Sequence, residues 1–148
     1  MPISPARELA FALHDAARML RTYADQRARE LSMTRAQWAV LKRLYRCEGA
    51  NQSELAEMLE VTPITLARLI DKLDAAGFVQ RRADPRDRRV HRLHLTEKAI
   101  PVLEKLDALG EEIMGQALDG LSEPTLNTMR DGLERIKANL KTSLHPGV

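Results

Sequence analysis

Residues 81–96 read RRADPRDRRVHRLHLT, and between Phe78 and Leu95 six arginines (Arg81, Arg82, Arg86, Arg88, Arg89 and Arg92) stand against two aspartates, Asp84 and Asp87. Guanidinium groups at this density suit a polyanion, because each is permanently charged and donates parallel hydrogen bonds to a phosphate or a base edge. Upstream, VTPITLARLIDKL supplies a second group of donors. If a helix there buries Leu66, Leu69, Ile70 and Leu73, it leaves Thr62, Pro63, Thr65, Arg68 and Lys72 outside. Short hydroxyls, an apolar surface and two cations on one helix face match the base edges and backbone of a duplex groove. Arg68 is then the candidate for a bidentate contact to guanine. Taken alone, an arginine on a helix is more commonly solvated or paired, here to Asp71 or Glu60, so its role depends on what stands beside it.

The run 81–89 carries an apparent contradiction. A carboxylate near phosphates is repulsive unless it is already paired, so Asp87 is expected to hold Arg89 or Arg88 by a charge-assisted bond. Arg86 and Arg88 would then reach from a loop tip toward the narrow, electronegative minor groove. The bland alternative is a charged, solvated turn.

The elements that must position these residues read mostly as helices. A first helix is predicted over Ala6–Leu31, with Leu9, Leu13, Ala16, Leu20 and Ala24 on one stripe. Thr34 and Gln37 have capping-box spacing, and Trp38, Leu41 and Tyr45 give a face of a second helix. Asn51 and Glu54 repeat the box before a short helix with Leu55, Ala56 and Leu59 inward. Thr62 as cap and Pro63 at the first position open a fourth helix that Gly77 stops. The period then changes to two: Phe78 and Val79, and Val90 through Leu95, read as strands joined by ADPRD. Thr96 opens a fifth helix with Ile100, Leu103, Leu106 and Ile113 inward, and Pro101 is placed to bend it. Ser122 opens a sixth, where Leu126, Met129, Leu133, Ile136 and Leu140 form a heptad seam.

Helix, turn, helix and basic hairpin in that order form a winged helix-turn-helix, giving a mainly α fold with a small β-hairpin wing. The expected division is 1–33 as an N-terminal dimerisation helix, 34–98 as the DNA-binding lobe (recognition helix 63–76, wing 78–95) and 99–148 as C-terminal dimerisation helices. LHPGV reads as a tail. Leu9, Leu13 and Leu20, with the seam of the last helix, leave more apolar stripe than a small central module can cover, so a second subunit is expected.

Composition excludes other classes. A chain of 148 residues, 44% hydrophobic, can build a core unaided. One cysteine, Cys47, allows no intrachain disulfide and suits a reducing compartment. MPISPARELAFALHD contains no apolar run fit for a leader or a span, so the cytoplasm is the expected location. The net charge of +2 says little, but its distribution is uneven: from Ala99 to Leu118 only Lys105 opposes Glu104, Asp107, Glu111 and Glu112. Against an enzyme, the four histidines are His14, His91, His94 and His145, and the middle two point to opposite faces of a strand. No glycine-rich phosphate loop is present, and no cofactor or metal is expected. A winged helix that binds only protein is the remaining alternative, and the arginine-rich wing with Arg68 and Lys72 argues against it.

The run from QWAVL through ELAEMLEVTPITLARLIDKLDAAGFVQRR to DPRDRRVHRLHLTEKA closely resembles the MarR/SlyA family of bacterial transcriptional regulators. The resemblance implies a homodimer held by its first and last helices, binding a palindromic operator in double-stranded DNA. It also implies repression relieved by small phenolic or aromatic carboxylate ligands. By motif position Arg68 matches a base-reading arginine, the wing arginines match minor-groove contacts, and Asp87 with Arg89 match a paired aspartate and arginine. Members that sense peroxide use a cysteine in the first helix, and Cys47 departs from that pattern. For an aromatic acid, His14, Arg18 and Trp38 are the candidate lining of a crevice between dimer helices and DNA-binding lobe, although each also reads as ordinary packing or surface.

Overall fold

The computed structural model describes residues 1–147, so the last residue of the expected tail, Val148, lies outside the described residues. Six helices and one hairpin follow in the order α1 (Pro5–Ala28), α2 (Arg35–Arg46), α3 (Gln52–Met58), α4 (Pro63–Ala75), β1 (Val79–Ala83), β2 (His91–Leu95), α5 (Ala99–Ala117) and α6 (Glu123–Leu144), with a 3-10 turn at Arg29–Leu31 after α1.

The caps explain where the helices begin. In α2 the Gln37 amide donates to Thr34 Oγ1 at 3.1 Å while Gln37 Oε1 accepts from the Thr34 amide at 2.9 Å. Asn51 and Glu54 make the same reciprocal pair at 2.8 and 3.0 Å ahead of α3. Each box satisfies two amides that have no partner inside the helix. Between α3 and α4, Glu60 takes a left-handed conformation (φ 54°), which closes the tight turn of the helix-turn-helix. Gly77 (φ 82°) performs the corresponding turn from α4 into β1, where a side chain would be strained.

β1 and β2 pair antiparallel with Val79 opposite Leu95 and Ala83 opposite His91. β2 is also paired on its other edge: the Gly49 amide donates to the Leu93 carbonyl and the Leu93 amide to the Ala50 carbonyl, both at 2.9 Å. The segment after α2 therefore forms an isolated antiparallel bridge, Asn51 opposite Arg92, beside the two-stranded sheet, which the sequence pattern did not suggest.

The chain divides into two compact units, Met1–Ile113 and Met114–Val148, and the cut between them falls inside α5. In the first unit Val40, Leu41, Leu44, Leu55, Leu66, Ile70, Leu73, Leu93 and Leu106 are essentially inaccessible to water and form one core. Gly110 lets α5 approach α2 closely, since a Cβ there would stand 3.3 Å from the Trp38 ring. Arg27 joins α1 to α5 through Glu112 at 3.1 Å and also contacts Glu30 at 3.0 Å.

Two burial expectations are corrected. The buried stripe of α2 is Val40, Leu41 and Leu44; Tyr45, about 100° further round the helix, is 64% exposed. In the same way Ile100 falls one step past the stripe Ala99, Leu103, Leu106, Leu109 and Ile113, and is exposed. Leu59 and Leu69 are half-buried and pack against the core. The start of α5 is also later than Thr96, whose hydroxyl instead donates to the Gly77 carbonyl and ties the base of the wing to the end of α4. Pro101 lies in the first turn of an unbroken α5, where a missing amide hydrogen removes no intrahelical bond.

In the second unit α6 starts at its cap Ser122, which accepts from the Thr125 amide at 3.3 Å. It buries nothing: Leu126 and Ile136 are half-covered, and Met129, Leu133 and Leu140 are exposed. On α1 Leu9 and Leu13 are exposed and Leu20 half-buried, and Ala28 is its one buried residue.

Candidate nucleic-acid interface

Burial of Leu66, Ile70 and Leu73 orients α4 and leaves Thr62, Pro63, Thr65, Arg68 and Lys72 on the exposed side. Their states differ. Thr62 accepts from the Thr65 amide at 3.2 Å and donates to the Thr65 hydroxyl at 2.8 Å, so its oxygen is committed to capping the helix. Arg68 makes no ion pair, neither with Asp71 nor with Glu60, and Lys72 makes none either.

The six arginines of the hairpin, uniform in sequence, are divided by the fold. Arg81 points back at α4, bonding Asp71 and, at 3.2 Å, Asp74, while its Nε donates to Gln52 Oε1 at 3.0 Å. It locks the first strand of the wing to both helices of the helix-turn-helix. Arg92 donates from Nε to Asp84 Oδ2 at 2.7 Å and from Nη1 to the Gly49 carbonyl at 2.9 Å. Arg82 reaches Gln80 at 3.3 Å. Arg89 bonds both carboxylate oxygens of Asp87 at 3.2 and 3.3 Å, and its amide donates to the same group at 3.0 Å. Of the two partners expected for Asp87, the structure therefore selects Arg89. The side chains of Arg86 and Arg88 are left exposed and unpaired.

Asp84 organises the loop. It is the one buried charged residue among those described, 8% exposed, and Oδ1 accepts from the Arg86 amide at 2.7 Å. That bond first, and the Arg92 guanidinium second, hold its carboxyl below the usual aspartate range. The Asp87 carboxyl is lowered as well, by the Arg89 side chain and then the Arg89 amide. The loop closes with the Asp84 amide on the Val90 carbonyl at 2.8 Å and the Val90 amide on the Asp87 carbonyl at 3.0 Å.

Residues 33–91 match the MarR family. The uncharacterized HTH-type transcriptional regulator YybA of Bacillus subtilis (strain 168) is 34% identical over 125 residues, covering 84% of this chain and 83% of its own length. This chain belongs to the MarR family of winged helix-turn-helix transcriptional regulators. Among solved structures, the transcriptional regulator SlyA superposes with a TM-score of 0.78 at 30% identity, over 91% of this chain and 95% of its own. A mutant MarR from E. coli complexed with operator DNA gives 0.77 at 22% identity, over 87% and 93%, a likeness of fold. The family is one of regulators rather than enzymes. No helix among the described residues is long and apolar enough to cross a membrane.

The three residues suggested for a ligand are not joined by any hydrogen bond or ion pair. His14 and Arg18 are exposed on α1, with Arg18 paired to Asp15 at 3.1 Å, and Trp38 lies against Gly110 with its buried Nε1 lacking a partner. A crevice of about 220 Å³ does lie between α2 and α5, lined by Lys42, Tyr45, Arg46, Ile100, Leu103, Glu104 and Asp107. Cys47, half-buried and in no disulfide among the described residues, is the C-cap of α2.

Sequence reasoning missed Arg81, Asp84 and Arg92 as positioning residues. Asp84 read as a turn former, and the signal available was its spacing of eight from Arg92 across a hairpin, meaningful only once the register is known.

Asp84 gives a prediction with a definite sign. A carboxyl whose folded pKa is depressed contributes stability that is complete above the unfolded value of about 3.9 and is lost as pH falls through the folded value. Asp84→Asn should therefore unfold at lower urea than wild type at neutral pH, and the gap should narrow below about pH 4. Urea titrations across pH check this; a gap that widens in acid would contradict it.

Proposed function

We propose that this chain is a homodimeric, sequence-specific double-stranded DNA-binding regulator, a repressor of transcription that acts in the cytoplasm on a palindromic operator. The carrying observation is how charge is sorted. All four aspartates between Thr62 and Thr96 (Asp71, Asp74, Asp84 and Asp87) are paired inside the protein, whereas Arg68, Lys72, Arg86 and Arg88 are not. The free cations belong to a recognition helix and a wing tip, the parts of this fold that enter the major and minor grooves. Arg68 reads a base; Arg86 and Arg88 respond to groove width and potential, with Asp87 aiming Arg89 at the backbone.

Dimerisation supplies the second half-site. The segments 1–33 and 99–148 carry it, through Leu9, Leu13 and Leu20 and through Leu126, Met129, Leu133, Ile136 and Leu140. The effector is a small aromatic carboxylate, for which the crevice between α2 and α5 offers an aromatic wall in Tyr45 and an unpaired cation in Arg46.

On a duplex selected from a random pool, Arg68→Ala should cost about 1–3 kcal/mol while leaving random DNA unaffected. Replacing Arg86 and Arg88 together should lower the salt slope by up to roughly four units across two wings. Equal weakening on both DNAs would reduce Arg68 to a phosphate contact, and no enrichment at all would favour a protein-binding module.

Leu133→Asp should yield monomers or unfolded chains where wild type sediments as a dimer at micromolar concentration; a monomeric wild type would refute the dimer. Titration with salicylate should weaken the operator complex at high micromolar to millimolar concentration, and an unchanged affinity across a panel of aromatic carboxylates would remove the effector.

A further inference from the structure

The residue that the reading face leaves unexplained is Ile64. It is 69% exposed, and between Cys47 and Lys98 the other strongly exposed large apolar side chain is Met58, in the last position of α3; the remaining ones lie on α1, α2, α5, α6 and the flanking segments. A single exposed isoleucine is ordinary on a protein surface. Its position here is not ordinary. Ile64 is the second residue of α4, on the side opposite Leu66, and it precedes Arg68 by four residues, so the two side chains lie on one face a turn apart. The Thr62 hydroxyl beside it is taken up in capping the helix and donating to Thr65, and Pro63 has no amide hydrogen. The outward surface of the first turn therefore carries the hydrocarbon of Pro63 and Ile64 between the exposed Thr62 and Thr65. A β-branched side chain in a helix is nearly fixed at χ1, so it presents its methyl groups with little ordering left to be done.

In the major groove one base edge carries an apolar group, the 5-methyl of thymine. We propose that Ile64 is a specificity-determining residue that packs on this methyl group. The proposal rests on the DNA-binding reading above and adds to it a base. The four residues from Ile64 to Arg68 rise about 6 Å along the helix, so the thymine falls about two base-pair steps from the guanine read by Arg68.

Deoxyuridine tests this, because it removes the methyl group and keeps every hydrogen-bonding atom of the edge. In a duplex selected by the wild-type protein, thymines are replaced symmetrically in both half-sites, one position at a time. At one position the wild type should lose about fourfold in affinity per half-site, or roughly fifteenfold for the pair, the loss expected for one methyl group. Ile64→Ala should bind the thymine duplex correspondingly less well and be indifferent to the uracil exchange, and Ile64→Val should retain part of the discrimination. Ile64→Ala should keep the thermal midpoint and random-DNA affinity of wild type, separating this loss from misfolding. Ile64→Ala with the full thymine-to-uracil difference, or a wild type insensitive to uracil at every position, overturns the inference alone. A pool yielding no enriched duplex overturns the DNA-binding reading and the inference with it.

Discussion

The strand His91–Leu95 is held on both edges, and the geometry of the lobe depends on it. One edge pairs with β1 through the register that sets Arg82 opposite Arg92; the other bonds to Gly49 and Ala50 at the end of α2. Its central residue Leu93 is fully buried in the same core as Leu66 and Ile70 of the recognition helix. A strand fixed on two edges and through one face can neither slip nor flip, because a one-residue shift would exchange Leu93 for Arg92 or His94. Arg92 then carries that rigidity outward, gripping the Gly49 carbonyl with one nitrogen and Asp84 with another. The loop tip inherits its position from the core through two hydrogen bonds.

Electrostatics follows from this placement. A recognition helix bearing Asp71 and Asp74 beside Lys72 would repel a polyanion if its carboxylates were free. Arg81, arriving from β1, neutralises both and donates its Nε–H to Gln52 of α3. The same logic applies at the tip, where Asp87 bonds Arg89. These exposed pairs contribute little to stability in water. Their consequence is directional: they remove negative charge from the surface and leave the unpaired cations at the exposed face of α4 and the end of the wing. The wing is thus pre-ordered before any ligand arrives, which lowers the entropy cost of binding.

The terminal helices show the opposite condition. α1 and α6 are the two longest elements, yet in the protomer α1 buries Ala28 alone and α6 buries nothing. Helices of 24 and 22 residues with regular apolar stripes gain most of their stability from tertiary packing. In this chain their leucines and methionines stand largely exposed.

Much of the lobe was legible in the sequence because its signals are local. Capping boxes at Thr34 and Asn51, the cap and proline at Thr62 and Pro63, and Gly77 at the turn each specify a helix end through groups within four residues, and the caps and helix ends that were read there are present in the structure. The pairing of Asp87 with a neighbouring arginine was legible for the same reason, since its partner is two residues away. The tertiary structure decided what depends on distance in space. It set which of six similar arginines are spent on Asp71, Asp74, Asp84 and Gln52 and which stay free, added the antiparallel bridge between Asn51 and Arg92, and exposed Tyr45 and Ile100, whose helical period alone placed them inward. Periodicity fixes the angle of a side chain about its own helix axis, but only the packing of neighbouring elements sets how wide an arc is covered, and only that packing and the strand register bring residues eight or more apart within hydrogen-bonding reach.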